Sequence, residues 1–185
     1  MMLSWLLLFY LGDDLGDKAP LERVIYDVEL VLGTRLVHLK MVVNRLDADH
    51  FSISSRKSPG GTLFTYWATP ESDVLSFPKS KLIFEGRAGQ SFALFPHGPR
   101  LDRAQWLRLL EEAPPEQMGS FVYQQVDAWK MIGSREEKVT LRWRERKRRT
   151  TVKYRATVLT PRYPKGFEVA PIEEMALDWK KNDLD

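Results

Sequence analysis

From Val24 to Val43 apolar and polar side chains take turns through two successive runs. Val24, Tyr26, Val28, Leu30 and Leu32 share one parity, with Asp27 and Glu29 on the other. After Gly33-Thr34, Val37, Leu39, Met41 and Val43 alternate with His38, Lys40 and Asn44. Successive side chains of a strand point to opposite faces, so a period of two describes a half-buried strand. A helix is the competitor, since β-branched residues are tolerated there at modest cost. The alternation survives the turn, which argues for a hairpin.

The pattern repeats down the chain. "HFSISSRK" reads as a strand, Ser58-Pro59-Gly60-Gly61 as a turn, and "TLFTYWAT" as a strand rich in aromatic and β-branched residues. "DVLSFP", "KLIFEG" and "SFALFP" continue the series. A spacing of about 8–12 residues with Pro or Gly at each end argues an antiparallel sheet. The clearest helix is "LDRAQWLRLLEEA". Asp102 is a natural N-cap with Gln105 in the capping-box position, Trp106, Leu107, Leu110 and Ala113 share a face, and Pro114-Pro115 stops it. "GSFVYQQVDAWKMIG" fits helix or strand. "PIEEMALDWKKN" places Ile172, Met175, Ala176 and Trp179 on one helical face.

A length of 185 residues fits one domain with a sizeable core. With 43% hydrophobic and 29% charged residues, the chain is of ordinary globular composition. No cysteine is present, which excludes disulfides, thiolate metal sites, a cysteine nucleophile and a lipid-bearing cysteine. Residues Leu3 to Leu11 are apolar for about nine positions, short of the ~20 that a membrane span needs. No basic run precedes them, and Gly12-Asp13-Asp14 follows in place of a small-residue cleavage site. A buried first helix and the remnant of an export signal both fit.

No catalytic constellation emerges. His38, His50 and His97 are isolated from other ligand types at metal spacing. Asp47, Asp49 and His50 read as a polar turn, and "GRAGQS" lacks the Lys-Ser/Thr ending of a phosphate loop. Glu111-Glu112 and Glu173-Glu174 read as solvated helix faces, and no Gly-x-Ser-x-Gly elbow occurs. Neither cofactor nor metal is expected.

The loudest polar signal is "RWRERKRRTTVKYR", residues 142–155. Six cations in 142–149 face only Glu145, so this segment alone exceeds the +3 net charge of the whole chain. Val139, Leu141 and Trp143 alternate with Arg142 and Arg144, and Val152, Tyr154, Ala156 and Val158 alternate with Lys153, Arg155 and Thr157. A nucleic-acid arm has no need of an apolar face of matching period, so nucleic acid is the least favoured partner. The expected structure is a hairpin with its tip near Arg146, Lys147, Arg148 and Arg149. That tip would meet water or an anionic membrane surface, where each cation contributes about 1 kcal/mol.

Four stretches in this order carry a family resemblance: "DHFSISSRKSPGGTLFTYWAT", "SDVLSFPKSKLIFEGRAG", "RLDRAQWLRLLEEAPP" and "KVTLRWRERKRRTTVKYRATVLTPRYPKGFEVAPIE". They resemble the strand–turn–strand, the following hairpin, the lid helix and the closing strands of the lipoprotein-localisation carriers, the LolA/LolB-like superfamily. The chain departs from it in having no clear export signal and no lipobox cysteine. The resemblance implies a mainly β (α+β) fold: a strongly curved antiparallel sheet, an incomplete barrel, with helices on its concave side. It would divide the chain into an N-terminal segment (1–21), the half-barrel (22–172) and a C-terminal helix or tail (173–185). It implies a non-enzymatic carrier or acceptor of acyl chains from lipid or lipoprotein in outer-membrane biogenesis, in the periplasm or on the periplasmic face of the outer membrane, with a possible protein partner in the envelope. Candidate cavity-lining residues are Trp67, Phe77, Phe84, Phe92, Leu94, Trp106, Leu110, Trp143 and Tyr154. The rival reading is an assembly protein whose sheet is filled by its own side chains.

Overall fold

The structure is a computed structural model that describes residues 20–57, 59–112, 114, 118–151 and 155–175. Two long strands found it. β1 (Leu21–Leu32) and β2 (Arg35–Arg45) pair antiparallel across the Gly33-Thr34 turn, with Val24 opposite Val43 and Val28 opposite Leu39. The apolar parity of each strand therefore lands on one shared face. Gly33 turns the chain at φ +59°, where a residue with a Cβ is strained.

The meander continues through β3 (Phe51–Lys57), β4 (Thr62–Ala68), β5 (Ser72–Phe77) and β6 (Leu82–Arg87), each antiparallel to the last. The chain then crosses the apolar face through residues 88–102 and helix α1 (Arg103–Glu111). "SFALFP" is not a strand in this crossing. It forms one isolated bridge, Phe92 to Leu101, and sends Phe92, Leu94 and Phe95 into the core. Its apolar residues face the sheet as a cover, a role that period-two reading does not distinguish from a strand.

The ambiguous segment is a hairpin, β7 (Val122–Val126) and β8 (Trp129–Ser134), followed by β9 (Val139–Thr151). β9 pairs antiparallel with β1, so the sheet grows on both sides of β1. A short helix α2 (Arg155–Leu159) and residues 160–167 lead across the opposite face to β10 (Glu168–Pro171), which lies parallel to β6. The ten strands run in the order β10-β6-β5-β4-β3-β2-β1-β9-β8-β7 in one sheet that does not close into a barrel.

Two expectations fail in this region. The basic stretch is not a hairpin with a tip at Arg146–Arg149, because those residues lie within one continuous strand laddered to β1. "TVKYRATV" is not its second strand, since residues 155–159 are helical and 152–154 lie outside the described residues. The period of two persists past Thr151 in sequence, but the described ladder with β1 ends at the pair of Leu21 with Thr151. At the chain end, Ile172–Glu174 form a single 3-10 turn, and Ile172 and Met175 join the core, which thus runs past residue 172. Ala176 and Trp179 lie outside the described residues.

α1 starts as its sequence dictates. Asp102 accepts from the Gln105 backbone N–H at 2.8 Å, and the Gln105 side chain accepts from the Asp102 N–H at 2.9 Å. Its C-terminal carbonyls, which a helix leaves without partners, are met by side chains of the sheet. The Trp143 indole donates to the Leu110 carbonyl at 3.2 Å, and Lys130 donates to the Glu111 carbonyl at 2.8 Å. A second indole, Trp106, donates to the Phe92 carbonyl at 3.0 Å and ties α1 to the crossing segment. Replacing Trp143 by Phe leaves the Leu110 carbonyl only the longer bond from Lys130, at 3.5 Å, and opens a small void. The expected cost is about 2 kcal/mol in urea unfolding; an unchanged midpoint would show that this bond does not hold α1 down.

Candidate functional site

The core face draws Phe77, Phe84, Phe92, Leu94, Trp106, Leu110 and Trp143 into a single cluster with residues from eight strands. Strand parity puts Phe77, Phe84 and Trp143 on this face, the crossing segment adds Phe92 and Leu94, and the apolar face of α1 adds Trp106 and Leu110. Trp67 is the exception: it has the parity of the opposite face and packs there with Val74, Ile83 and Phe167. Tyr154 lies outside the described residues. Between the sheet and α1 there is a cavity of about 20 Å³, lined among others by Leu94, Phe95, Trp106 and Leu110. It is the size of one water. The aromatic rings interlock: Tyr66 to Phe92 at 4.6 Å between centroids, Phe95 to Trp106 at 5.9 Å, Phe77 to Phe84 at 6.0 Å. Offset and edge-on contacts of this kind add to burial.

Both ends of α1 are held by charge. At its N-terminus Arg103 donates to the Thr69 carbonyl at 2.5 Å and stands 3.7 Å from the fully buried Asp73. Asp73 also accepts from the Tyr66 hydroxyl and from the Gly89 N–H, each at 2.7 Å. Burial raises the Asp73 carboxyl above its usual range against these bonds, and burial with the facing Asp73 raises Tyr66. Tyr66 and Asp73 are buried with partners, while the exposed Asp49 stands 3.5 Å from Arg103 at the rim, so the network ties α1 to β4, β5 and the turn before β3. At the C-terminus Arg45 pairs with Glu111 and Glu22, and Arg148 pairs with Glu22 and Glu145. Glu111 is therefore not on a solvated helix face; its side chain is only 7% exposed. Burial raises its carboxyl.

Sequence reasoning passed over Asp73 and Glu22, although each carried a signal. Asp73 shares parity with Leu75 and Phe77, and Glu22 with Val24 and Tyr26, so an acid on an apolar face was visible in both strands.

The basic stretch is spent largely on β1. Arg142 meets Glu29 at 2.9 Å, Arg144 meets Asp27 at 3.3 Å and Arg146 meets Asp27 at 3.6 Å. The guanidinium carbons of Arg142 and Arg144 also stand 5.0 and 4.8 Å from the Trp129 ring centroid. A register shift at Ile25/Tyr26 makes Arg146 the extra residue of a β-bulge, opposite neither Tyr26 (which faces Glu145) nor Ile25 (which faces Lys147). Past the bulge Arg148 turns to the core-face rim, while Lys147 and Arg149 stay on the far face beside Ile25 and Arg23. The four residues expected at a tip thus divide between two faces of a strand. Hydrogen bonds to Glu145 and Glu22 hold Arg148 charged more firmly than usual.

Among the described residues no group of three or more His, Asp or Glu is placed to hold a metal ion, and no helix is long and apolar enough to cross a membrane. No protein-family model and no curated protein sequence matches this chain.

Burial opposes ionisation of Glu22, but hydrogen bonds from Arg148 and Arg45 outweigh it and hold the carboxyl below its usual range. On acidification the unfolded chain takes up this proton first. Stability therefore falls as pH drops from the ordinary glutamate range through the lower folded value. Glu22→Gln should lose less stability than the natural chain in melts between about pH 6 and pH 3; parallel curves would show that Glu22 does not carry the acid sensitivity.

Proposed function

We propose that this chain is a non-enzymatic assembly module with a filled interior, which binds a partner protein by strand addition at β7. The contrast between the two sheet edges carries the reading. β10 is four residues long, bears Glu168 and ends in Pro171, features that block further pairing. β7 reads "VYQQV", with no charge and no proline, and among the described residues pairs only with β8. Four of its five residues are exposed, Val122 by 61% and Val126 by 63%. An edge of free backbone groups without such guards is a template for an incoming strand.

The interior supports a surface role. An acyl chain gains ~0.8 kcal/mol for each CH₂ removed from water, but a void of about 20 Å³ accommodates none of it. Uptake requires α1 to leave the sheet, breaking both indole bonds and the ion pairs at its two ends. The acyl carrier of the periplasm or outer membrane, with an anionic membrane surface as a further partner, is the rival proposal and rests on the LolA/LolB-like resemblance. In both readings the sheet curves round α1 as a half-barrel. Eight flat strands would span ~34 Å, whereas nine helical residues reach ~14 Å, and α1 shares the cover of the eight strands with Phe92, Leu94, Phe95, Ile172 and Met175.

Two measurements separate the readings. The purified protein should retain no lipid on extraction and show no saturable binding of a fluorescent fatty acid. A photo-crosslinker at Gln125 should give a discrete protein adduct that Val122→Lys with Val126→Lys removes, and one at Val169 in β10 should give none. Saturable fatty-acid binding would overturn the filled interior; adducts from Val169 and not Gln125 would overturn the β7 edge.

A further inference from the structure

The far face of the sheet carries a second set of features that the strand-addition reading leaves unused. Opposite the core, cross-strand pairing lines up Arg149, Arg23, Asn44, Ser52 and Trp67 in one row. The adjacent row holds Ser54, Thr65 and Ser76. The segment 157–167 passes over these rows and leaves a groove of about 360 Å³. Arg56 and Arg162 stand on its walls, hydroxyls of five Ser and Thr residues line its sheet side, and Phe167 lies across from them.

Three polar groups in or beside this groove are buried without a partner among the described residues. The Trp67 indole N–H has none, although Trp67 is 7% exposed. Asn44, 4% exposed, spends its amide N–H on Ser52 at 3.3 Å and leaves its carbonyl oxygen unused. The Nε of Arg23 is likewise unpaired. Among the described residues no carboxylate pairs with Arg23, Arg56 or Arg149, although β1 and β9 pair nearly every other arginine of the ladder. Burial together with Arg149 and Arg56 lowers the Arg23 guanidinium below its usual range, as expected where like charges gather without a counter-charge. Buried polar groups are nearly always met by protein, water, an ion or a ligand, so orphaned groups gathered at one groove mark a place where such a partner fits.

We propose that the far-face groove binds a phosphate-bearing polyhydroxyl ligand, a sugar phosphate or a phosphorylated headgroup of that chemistry. Arg56 takes the phosphate, since a guanidinium meets its oxygens through paired N–H bonds. The hydroxyl row and the Trp67 N–H meet the ligand's hydroxyls, and Phe167 covers an apolar ring face. The groove has the volume of a small-molecule site, for which about 300–1,000 Å³ is usual. This site stands independently of the β7 edge.

The test follows the Trp67 indole N–H resonance while inorganic phosphate, glucose 6-phosphate, glucose or vesicles containing a phosphorylated phosphatidylinositol are added to the full chain. Glucose 6-phosphate should shift it saturably and glucose should not. Arg56→Ala should weaken binding about tenfold with its amide spectrum otherwise preserved. Arg144→Ala, which removes a ladder cation facing Asp27, should leave binding unchanged. A response to inorganic phosphate as strong as to the sugar phosphate assigns the site to the phosphate group; a response to vesicles alone assigns it to a lipid headgroup. No saturable shift with any phosphate source overturns the proposal, as does equal weakening by Arg56→Ala and Arg144→Ala, which would mark general attraction to a basic surface.

Discussion

The pairing of β9 with β1 is the contact on which the rest of the molecule depends. Without it β1 to β6 with β10 and β7 to β9 would be two separate sheets. With it, β1 becomes the centre of a single sheet, and Trp143 and Leu141 join Val28 and Leu30 beneath α1. The same ladder sets Arg142 and Arg144 opposite Glu29 and Asp27, so a segment of high positive charge lies beside acids in place of repelling itself. Exposed pairs of this kind contribute little individually. Their value is in register, since a slip by one residue would bury the arginines and expose Trp143.

What the sheet builds, α1 completes. Together with the crossing segment and Ile172 and Met175, its nine residues cover a face drawn from eight strands, and the helix is fixed at both ends and along its side. Arg103 docks one end onto a buried carboxylate, Arg45 and Lys130 the other, and two indoles bond carbonyls in between. Removing one partner of a buried pair leaves an uncompensated charge, which costs about 3–5 kcal/mol. The interior is thus a core in the packing sense, with side chains filling the space that a carrier would keep open.

Strand parity made much of this fold legible. The first hairpin, the strands from Phe51 to Arg87, the capped helix and the apolar faces of β1, β2 and β9 all follow from period and turn chemistry. Three things were not legible. An apolar run that covers a sheet, such as Phe92 to Phe95, has the same composition as a strand within it. Whether a basic strand folds back on itself or pairs with a distant acidic one depends on β1, more than a hundred residues away, and on a bulge that shifts parity at Arg146. The far-face groove depends on α2 and residues 160–167, whose crossing is fixed by β10 pairing with β6. Of the interior candidates among the described residues, Trp67 was grouped with the others but lies on the opposite face, with Val74 and Ile83.

The central claim is that α1 is a fixed part of the core and not a lid. Native-state hydrogen exchange of the α1 amides tests it most directly, because it reports openings far rarer than a bound ligand would reveal. The account predicts that the amides of Trp106 to Leu110 exchange only with global unfolding, at the same free energy as those of central β1 and β9. Exchange of these amides through a local opening well below the global value, with the strands still protected, would contradict it.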